Sequence, residues 1–399
     1  MKGVQPLNKT RSKLVVLGTT GLALLALVGL VLTLGPTVAD RIANRVANEG
    51  RHFPSEDVEA LHHGTFVVDL HADPLLWSRD LTERNGHGAV DIPRLIEGNV
   101  ALECFFLVTK SPYGLSIDYT VPGSDVVTLL AFAQGWPPAT WGSLLERALY
   151  QAERFRKLPE RTQGAFTIVQ SKSDLREYRR AREQGQVQVA GILGVEGAHV
   201  LEGELENLDV LDKKGVRIFG LTHLFDNDAG GSAHGVERGG LTEFGRGLIR
   251  ELESRGILVD LAHASSATFD EAIALVTKPV IVSHTGVLGT CDSSRNLSDD
   301  QLRAVAATGG VVGIGLWDLA VCGSAPTDVA RAIRYAVDVA GVEHVGLGSD
   351  FDGGVPLVTD ASGVGRVTAA LVEEGFSAEE IPLILGENAV RVFEQTLPD

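Results

Sequence analysis

Residues 241–263 read LTEFGRGLIRELESRGILVDLAH and contain the repeating unit that decides the fold. Apolar residues stand at positions 241, 244, 248, 249 and 252, which is the spacing of one helix face. The short apolar run Ile257–Leu261 follows directly and leads to His263. Near-continuous apolar strands of this kind are typical of a parallel sheet that is buried on both faces.

Short apolar runs of the same type occur eight times along the chain. Helical patterns separate several of them, and Ser298 is expected to cap a helix over Asp299–Ala307. Strand–helix alternation repeated eight times predicts an α/β fold, specifically a (β/α)8 TIM-like barrel, with an open doubly wound sheet as the alternative. The runs are Phe66–Leu70, Val100–Val108, Val187–Val195, Val216–Leu221, Ile257–Leu261, Val280–Val282, Val311–Leu316 and Val345–Gly348.

A second apolar feature lies near the N-terminus. Residues 14–34 read LVVLGTTGLALLALVGLVLTL, which is a run without a single charge. At about 1.5 Å per residue it is long enough to cross a hydrocarbon core of about 30 Å. We predict a transmembrane helix over residues 14–35, through which the protein contacts the lipid bilayer. A cleaved signal peptide is the alternative, although its apolar region is usually only about 7–15 residues long.

The basic tail 1–13 precedes the apolar run and predicts the orientation of the chain. By the positive-inside rule this tail is cytoplasmic, which makes the catalytic domain of this single-pass protein periplasmic or extracellular. Residues 36–61 are interpreted as a stalk and residues 62–399 as the barrel. His52, His62 and His63 are then expected to be solvated.

Composition excludes several other classes of protein. The formal net charge of −17 argues against nucleic acid as a partner, which would require a basic surface. Three cysteines are too few for a disulfide scaffold. Cys104 is expected in the core, whereas Cys291 and Cys322 are expected near the mouth of the barrel, either as a disulfide or as two free thiols.

Six of the eight predicted strands end in His, Asp or Glu. In a barrel the carboxyl ends of the strands meet at one mouth, where active sites are found. Anionic and imidazole groups crowded into so small a volume need a cation, and this ligand set suits Zn²⁺, with Mn²⁺ or Fe²⁺ as alternatives. The residues are His71 with Asp73, Glu196, His223, His263, His284 and Asp350.

The motifs around these residues resemble those of the renal (membrane) dipeptidase family, peptidase family M19 of the amidohydrolase superfamily. The resemblance extends from about Leu61 to Phe393. It rests on DLHADP (69–74), GVEGAH (194–199), LTH (221–223), DLAH (260–263), VSHTG (282–286), Arg295-Asn296 followed by LSDDQL (297–302), and GSDFDG (348–353).

The resemblance implies a binuclear site that holds two Zn²⁺. His71 and Asp73 would bind one ion and His263 and His284 the other. Glu196 would bridge the two.

The resemblance also implies roles for the remaining site residues. His223 would contact the reacting carbonyl oxygen of the substrate, and Arg295 would hold its free carboxylate. Asp350 would shuttle the proton, with Asp352 as the weaker candidate for that role. Ser294 stands where the family often has another Arg, which leaves the substrate preference open.

The implied activity is zinc-dependent hydrolysis of dipeptides, in which a metal-bridging hydroxide attacks the amide carbonyl. Substrates with a C-terminal D-residue and a homodimer are family expectations. The alternatives are another amidohydrolase, such as an amidase, lactonase or deacetylase, or a membrane-tethered binding protein without activity. About 80 residues lie between the second and third strands, a length typical of lids or disordered segments.

Overall fold

The computed structural model describes residues 29, 32–48, 50–114 and 120–399. Eleven strands are found in this part of the chain. They are β1 (Val46–Asn48), β2 (Val67–Ala72), β3 (Val100–Val108), β4 (Phe166–Ile168), β5 (Val189–Glu196), β6 (Val216–Gly220), β7 (Leu258–Asp260), β8 (Ile281–Thr285), β9 (Val311–Ile314), β10 (Val345–Leu347) and β11 (Leu357–Thr359).

Eight of these strands form a closed parallel barrel. They follow the order β2, β3, β5, β6, β7, β8, β9 and β10, and β10 pairs with β2 to complete the ring. The predicted (β/α)8 barrel is therefore confirmed, and the open sheet is wrong because the ring has no free edge. All eight predicted runs form barrel strands, while the short strand β4 pairs with the beginning of β5 and β1 pairs with β11 outside the ring.

Helices connect the strands and cover the barrel. The predicted helix after residue 241 begins at Glu243, where the Thr242 side chain accepts a hydrogen bond from the Gly245 amide. Ser298 forms the expected cap, together with Gln301. The helices are α1 (32–43), α2 (Glu56–His63), α3 (Ile92–Glu97), α4 (Val126–Ala133), α5 (Leu144–Arg156), α6 (Leu158–Arg161), α7 (Lys172–Glu183), α8 (Asn207–Lys213), α9 (Glu243–Arg255), α10 (Ser266–Ile273), α11 (Asp299–Ala307), α12 (Asp318–Val321), α13 (Pro326–Ala340), α14 (Gly365–Glu373), α15 (Glu380–Pro382) and α16 (Asn388–Thr396).

The long connection between β3 and β5 is mostly helical in its described part. It contains α4 to α7 and a 3₁₀ turn at Pro138–Trp141. Arg147 on α5 is 2% exposed and donates to the carbonyl oxygens of Thr109 and Thr140, both at 2.7 Å. Its guanidinium also pairs with Asp125. This buried cation fixes the connection against the carboxyl end of β3, so most of the segment is packed structure.

The predicted transmembrane helix falls largely outside the described residues. Among the residues that the structure covers, no helix is both long and apolar enough to cross a membrane. The described part of helix α1 starts at residue 32, inside the predicted span, and continues to residue 43.

The segment predicted as a stalk contacts the barrel. Asp40 is buried against Arg79, and β1 pairs with β11. The expectation that His62 is solvated is wrong. This side chain is fully buried, with Nδ1 2.8 Å from Thr368 Oγ1 and Nε2 2.9 Å from the carbonyl oxygen of Gly98, so both ring nitrogens have partners on the barrel domain.

Candidate metal centre and active site

The eight predicted site residues come together at the carboxyl end of the barrel. Seven of them line one pocket of about 120 Å³, a volume that admits only a small ligand. The eighth, His71, is fully buried beneath it, with its Nε2 3.4 Å from Asp73 Oδ1. The seven are Asp73, Glu196, His223, His263, His284, Arg295 and Asp350.

Glu196, the last residue of β5, is the common neighbour of the imidazole groups. Its Oε1 lies 3.0 Å from His263 Nε2, 3.5 Å from His71 Nε2 and 3.7 Å from His284 Nε2. Its Oε2 lies 3.2 Å from His223 Nε2. One carboxylate therefore faces ring nitrogens that arrive from four different strand ends.

The ligand atoms form three overlapping groups, each within a radius that suits one metal ion. Within each group the atoms lie no more than 4.8 Å apart. His71 Nε2 and Asp73 Oδ1 are buried without a hydrogen-bond partner, although buried polar atoms are normally paired. The donor set of neutral imidazole and carboxylate fits a divalent cation. The groups are His71, Asp73 and Glu196; Glu196, His223 and His263; and His71, His284 and Asp350.

Burial shifts the protonation equilibria of these groups in opposite directions. It raises the pKa of Glu196 well above its usual range, and the neighbouring charge of Asp73 adds to the shift. It lowers the pKa of His223, His263 and His284 well below the usual value. The imidazoles are therefore neutral and can bind a metal ion through a ring nitrogen. The carboxylates have no cationic side chain paired with them among the described residues, and a bound cation would favour their ionised form.

In three of the histidines, a neighbouring side chain lies within hydrogen-bond distance of the Nδ1 atom. Ser283 Oγ lies 3.1 Å from His71 Nδ1 and 3.0 Å from His284 Nδ1. His234 Nε2 lies 3.0 Å from His263 Nδ1. Such contacts fix the orientation and tautomer of a histidine ligand and leave its Nε2 free for a metal ion.

Three non-glycine residues at this mouth adopt the left-handed backbone conformation. His263 and Asp350 both have φ of 62°, and Asp352 has φ of 64°. Residues with a Cβ mostly avoid this region, aspartate less than others, and strain of this type is concentrated at functional sites. His263, in the turn after β7, is therefore held in this conformation by its surroundings.

Asp350 and Asp352 have different environments. Burial raises the pKa of Asp350 to about 7, and its side chain lines the pocket. Asp352 accepts hydrogen bonds from the amides of Ala89 and Val90 and pairs with Arg79 at 2.7 Å. Asp352 is thus part of the scaffold, and Asp350 is the carboxyl group that faces the pocket.

Arg295 lies in the loop after β8 and lines the same pocket. Its Nη2 donates to the carbonyl oxygen of His284 at 2.7 Å, and it forms no ion pair with a carboxylate in the described part of the chain. Burial lowers its pKa to about 10, which leaves it charged at neutral pH. A disulfide between Cys291 and Cys322 ties its loop to the segment after β9, which settles the pairing that the sequence left open.

Several residues in or next to the pocket could not be identified as functional from the sequence. Trp317 and Leu319 follow β9 and form an apolar wall of the pocket, with the Trp317 ring 5.7 Å from that of His284. Ser283 stands next to a predicted ligand, yet serine is too common to be singled out. His234 lies in the loop after β6, and only the fold shows that it contacts His263.

Comparison with known proteins gives a consistent result. The membrane dipeptidase family, peptidase family M19, matches residues 55–397. Dipeptidase aclJ of Aspergillus oryzae is 34% identical over 214 residues, which is 51% of this chain and 51% of that protein. The chain therefore matches about half the length of this relative.

Solved structures share the fold over nearly their whole length. A metallopeptidase from Rhodobacter sphaeroides, solved with a phosphinate mimic of the dipeptide L-Ala-D-Ala, is 25% identical, with a TM-score of 0.67 over 83% of this chain and 99% of that chain. Dipeptidase AC of family M19 gives 24% identity and a TM-score of 0.68 over 84% and 99%. The probable dipeptidase PvdM of Pseudomonas aeruginosa gives 19% and 0.70 over 86% and 98%. The last two likenesses show the fold alone.

Proposed function

The chain belongs to the membrane dipeptidase family, and from this premise we propose that it is a zinc-dependent dipeptidase with two metal ions in its pocket. The observation that carries the proposal is the position of Glu196, whose carboxylate faces four imidazole groups with no cationic side chain paired to it among the described residues. Imidazole and carboxylate ligands together are those that Zn²⁺ prefers.

We assign the ligands to two sets that share Glu196. His71 and Asp73 would hold one ion together with Glu196, as their grouping in the structure supports. His263 and His284 would hold the other, since their Nε2 atoms lie 2.9 Å apart. Two bound zinc ions would supply Lewis acidity for the carbonyl group and lower the pKa of an attacking water molecule.

His223 and Asp350 would carry out the hydrogen-bonding and proton steps. His223 is neutral because burial lowers its pKa, so it would donate a hydrogen bond to the carbonyl oxygen as negative charge develops there. Asp350, whose pKa burial raises to about 7, would take the proton from the attacking water and pass it to the leaving amine.

Arg295 would select substrates by their C-terminus. Its planar guanidinium can bind a carboxylate through two parallel hydrogen bonds, which a lysine cannot do. Trp317 and Leu319 complete the apolar wall and would favour short substrates with small or apolar side chains. The dipeptide mimic bound by the Rhodobacter sphaeroides metallopeptidase ends in D-Ala, which supports acceptance of a D-residue at this position.

We also propose that the catalytic domain lies outside the cytoplasm, anchored through residues 14–35. The disulfide between Cys291 and Cys322 supports this location, since such bonds persist in oxidising compartments. A homodimer stays a family expectation.

The test is a panel of L,L- and L,D-dipeptides, each also prepared as its C-terminal amide, with the full-length protein in detergent. We expect hydrolysis of the free dipeptides, loss of activity in chelator, recovery with Zn²⁺, and poor hydrolysis of the amides. Cleavage of lactones or acetylated amines without any cleavage of dipeptides would instead favour another amidohydrolase activity.

A further inference from the structure

Exposed apolar side chains are concentrated in two segments of the described chain. Nine of the fifteen large apolar residues that are exposed there belong either to α1 or to residues 113–141. Single exposed apolar residues are ordinary, but contiguous groups mark surfaces that contact another molecule or a membrane.

Helix α4 contributes three of these nine residues. Its sequence, VVTLLAFA, contains no charged residue, and only Val127 and Ala131 are buried. Leu129 is 57% exposed and Phe132 is 49% exposed. The Phe132 ring packs edge to face against Trp141, with centroids 5.1 Å apart, and Trp141 is itself 38% exposed. We call Leu129, Phe132 and Trp141 the apolar face.

The end of helix α1 contacts the apolar cluster into which α4 packs. Its last residue, Ala43, contacts the same small apolar cluster on which α4 buries Val127 and Ala131. Three of its residues at four-residue spacing, Leu34, Val38 and Ile42, are between 51% and 62% exposed. The two elements therefore share one buried cluster and leave apolar side chains in solvent around it.

The chain enters α1 from the uncharged run of residues 14–34. If that run fills the hydrocarbon core, Leu34 marks its outer boundary. Val38 then stands about 6 Å further along the helix, within the interfacial layer, which is itself roughly 6 Å deep. Because α1 and α4 contact the same buried cluster, the apolar face lies close to the point where the proposed anchor leaves the bilayer.

We propose that the apolar face rests in the outer interface of the bilayer and orients the barrel on the membrane. This inference builds on the proposed anchor and adds a second membrane contact to it. Trp is suited to this layer because its ring is apolar and its N–H is polar, and Leu and Phe are typical of the apolar faces of interfacial helices. The face follows the carboxyl end of β3, so the pocket end of the barrel lies toward the lipid.

Trp141 provides a built-in probe. The other three tryptophans, Trp77, Trp136 and Trp317, are each no more than 6% exposed. Full-length protein would be reconstituted into phosphatidylcholine vesicles with or without brominated acyl chains, which quench only tryptophans that reach the lipid. We expect quenching in the wild type and loss of most of that quenching in Trp141→Phe, with dipeptide hydrolysis unchanged.

A matched control places the probe at the opposite end of the barrel. Val187 precedes β5 and is 70% exposed. Val187→Trp in the Trp141→Phe background should be quenched by aqueous iodide and not by brominated lipid. Flotation of the vesicles reports anchoring separately, since it depends on residues 14–35.

Three outcomes would overturn the proposal. Flotation without lipid quenching of Trp141 would contradict the apolar face alone, and absence of flotation would contradict both the face and the anchor. Protection of Trp141 from lipid and from iodide would show that protein covers the face, either a second copy or the N-terminal run.

Discussion

Two clusters of buried charged groups lie next to each other at the carboxyl end of the barrel, and their charges are balanced differently. In the first, Arg79 lies 2.8 Å from Asp40 and 2.7 Å from Asp352. In the second, the carboxylates of Asp73 and Glu196 meet only imidazoles whose pKa values are lowered by burial. The first cluster is complete within the polypeptide, whereas the second requires cations from outside it.

The comparison explains why similar residues have different roles. Asp350 and Asp352 follow the same strand, two residues apart, yet one belongs to each cluster. An arginine partner makes Asp352 structural, and Asp350 stays available for chemistry because no arginine pairs with it in the described chain. For these two aspartates, the presence or absence of a buried cationic partner is thus a better guide to role than residue type or burial.

The largest effect is expected from Glu196→Gln. The amide removes the negative charge that would bind both ions, so we expect bound metal to be lost and kcat/KM to fall by more than about 10³-fold, beyond the loss of a single oxyanion donor. Metal content by mass spectrometry and dipeptide hydrolysis measure the two effects. The variant should still fold, because the substitution removes the buried negative charge of Glu196, which no cationic side chain in the described part of the chain pairs with.

Glu103→Gln is the matched control. Glu103 is also a fully buried acid, and its carboxyl group hydrogen-bonds that of Asp69 on the neighbouring strand β2. Burial and the neighbouring Asp69 raise its pKa well above the usual range, which favours the neutral acid, so a neutral isostere should change little. If Glu196→Gln and Glu103→Gln lost metal equally, the assignment of Glu196 as a ligand and Glu103 as a structural residue would be wrong.

The next effect concerns the complete cluster. Arg79→Met leaves Asp40 and Asp352 buried without their cation, which should cost about 3–5 kcal/mol of unfolding free energy. Urea denaturation monitored by circular dichroism measures this loss.

Arg84→Met provides the reference for that measurement. Arg84 pairs with Glu97 at the surface, where an ion pair contributes at most about 1 kcal/mol. If the two variants were destabilised equally, burial would not explain the contribution of the Arg79 ion pairs to the free energy of unfolding.

Arg295→Lys tests the buried cation on the substrate side. Replacing the guanidinium fork removes one charge-assisted hydrogen bond to the substrate carboxylate. The transition-state stabilisation that kcat/KM reports should therefore fall by about 1.5–3 kcal/mol, mostly through a higher KM. The C-terminal amide of the same dipeptide lacks that carboxylate, and its slow hydrolysis should be nearly unchanged. A parallel loss on the amide would indicate that Arg295 supports the metal site instead.

The sequence predicted the second cluster better than the first. His71, Glu196 and His284 each end an apolar run, and the barrel geometry that brings strand ends together follows from the alternation alone. The Arg79 cluster has no such signal, since Asp40, Arg79 and Asp352 are scattered over the chain.

What the sequence could not decide has a common origin. His62 was interpreted as a solvated stalk residue, yet its partners Thr368 and Gly98 are 306 and 36 residues away. The choice between Asp350 and Asp352 also depended on a residue from another loop. Local pattern predicts elements and their ends, while the pairing of buried polar groups is decided by tertiary contacts.

The smallest effect is expected behind the ligands, at His234. Its Nε2 is the neighbour of His263 Nδ1, and partners of this kind typically contribute 10–100-fold to metal affinity. His234→Ala should therefore weaken zinc binding by about that factor while leaving kcat nearly unchanged at saturating metal. Competition with a fluorescent chelator measures the affinity.

His234→Gln distinguishes positioning from simple packing. The Gln carbonyl oxygen can still accept a hydrogen bond from His263 Nδ1, so this variant should recover most of the affinity lost in His234→Ala. His344→Ala, which removes a histidine bonded to the Gly310 carbonyl oxygen away from the pocket, should leave the affinity unchanged. If Gln were no better than Ala, His263 would be oriented by something other than its contact with His234.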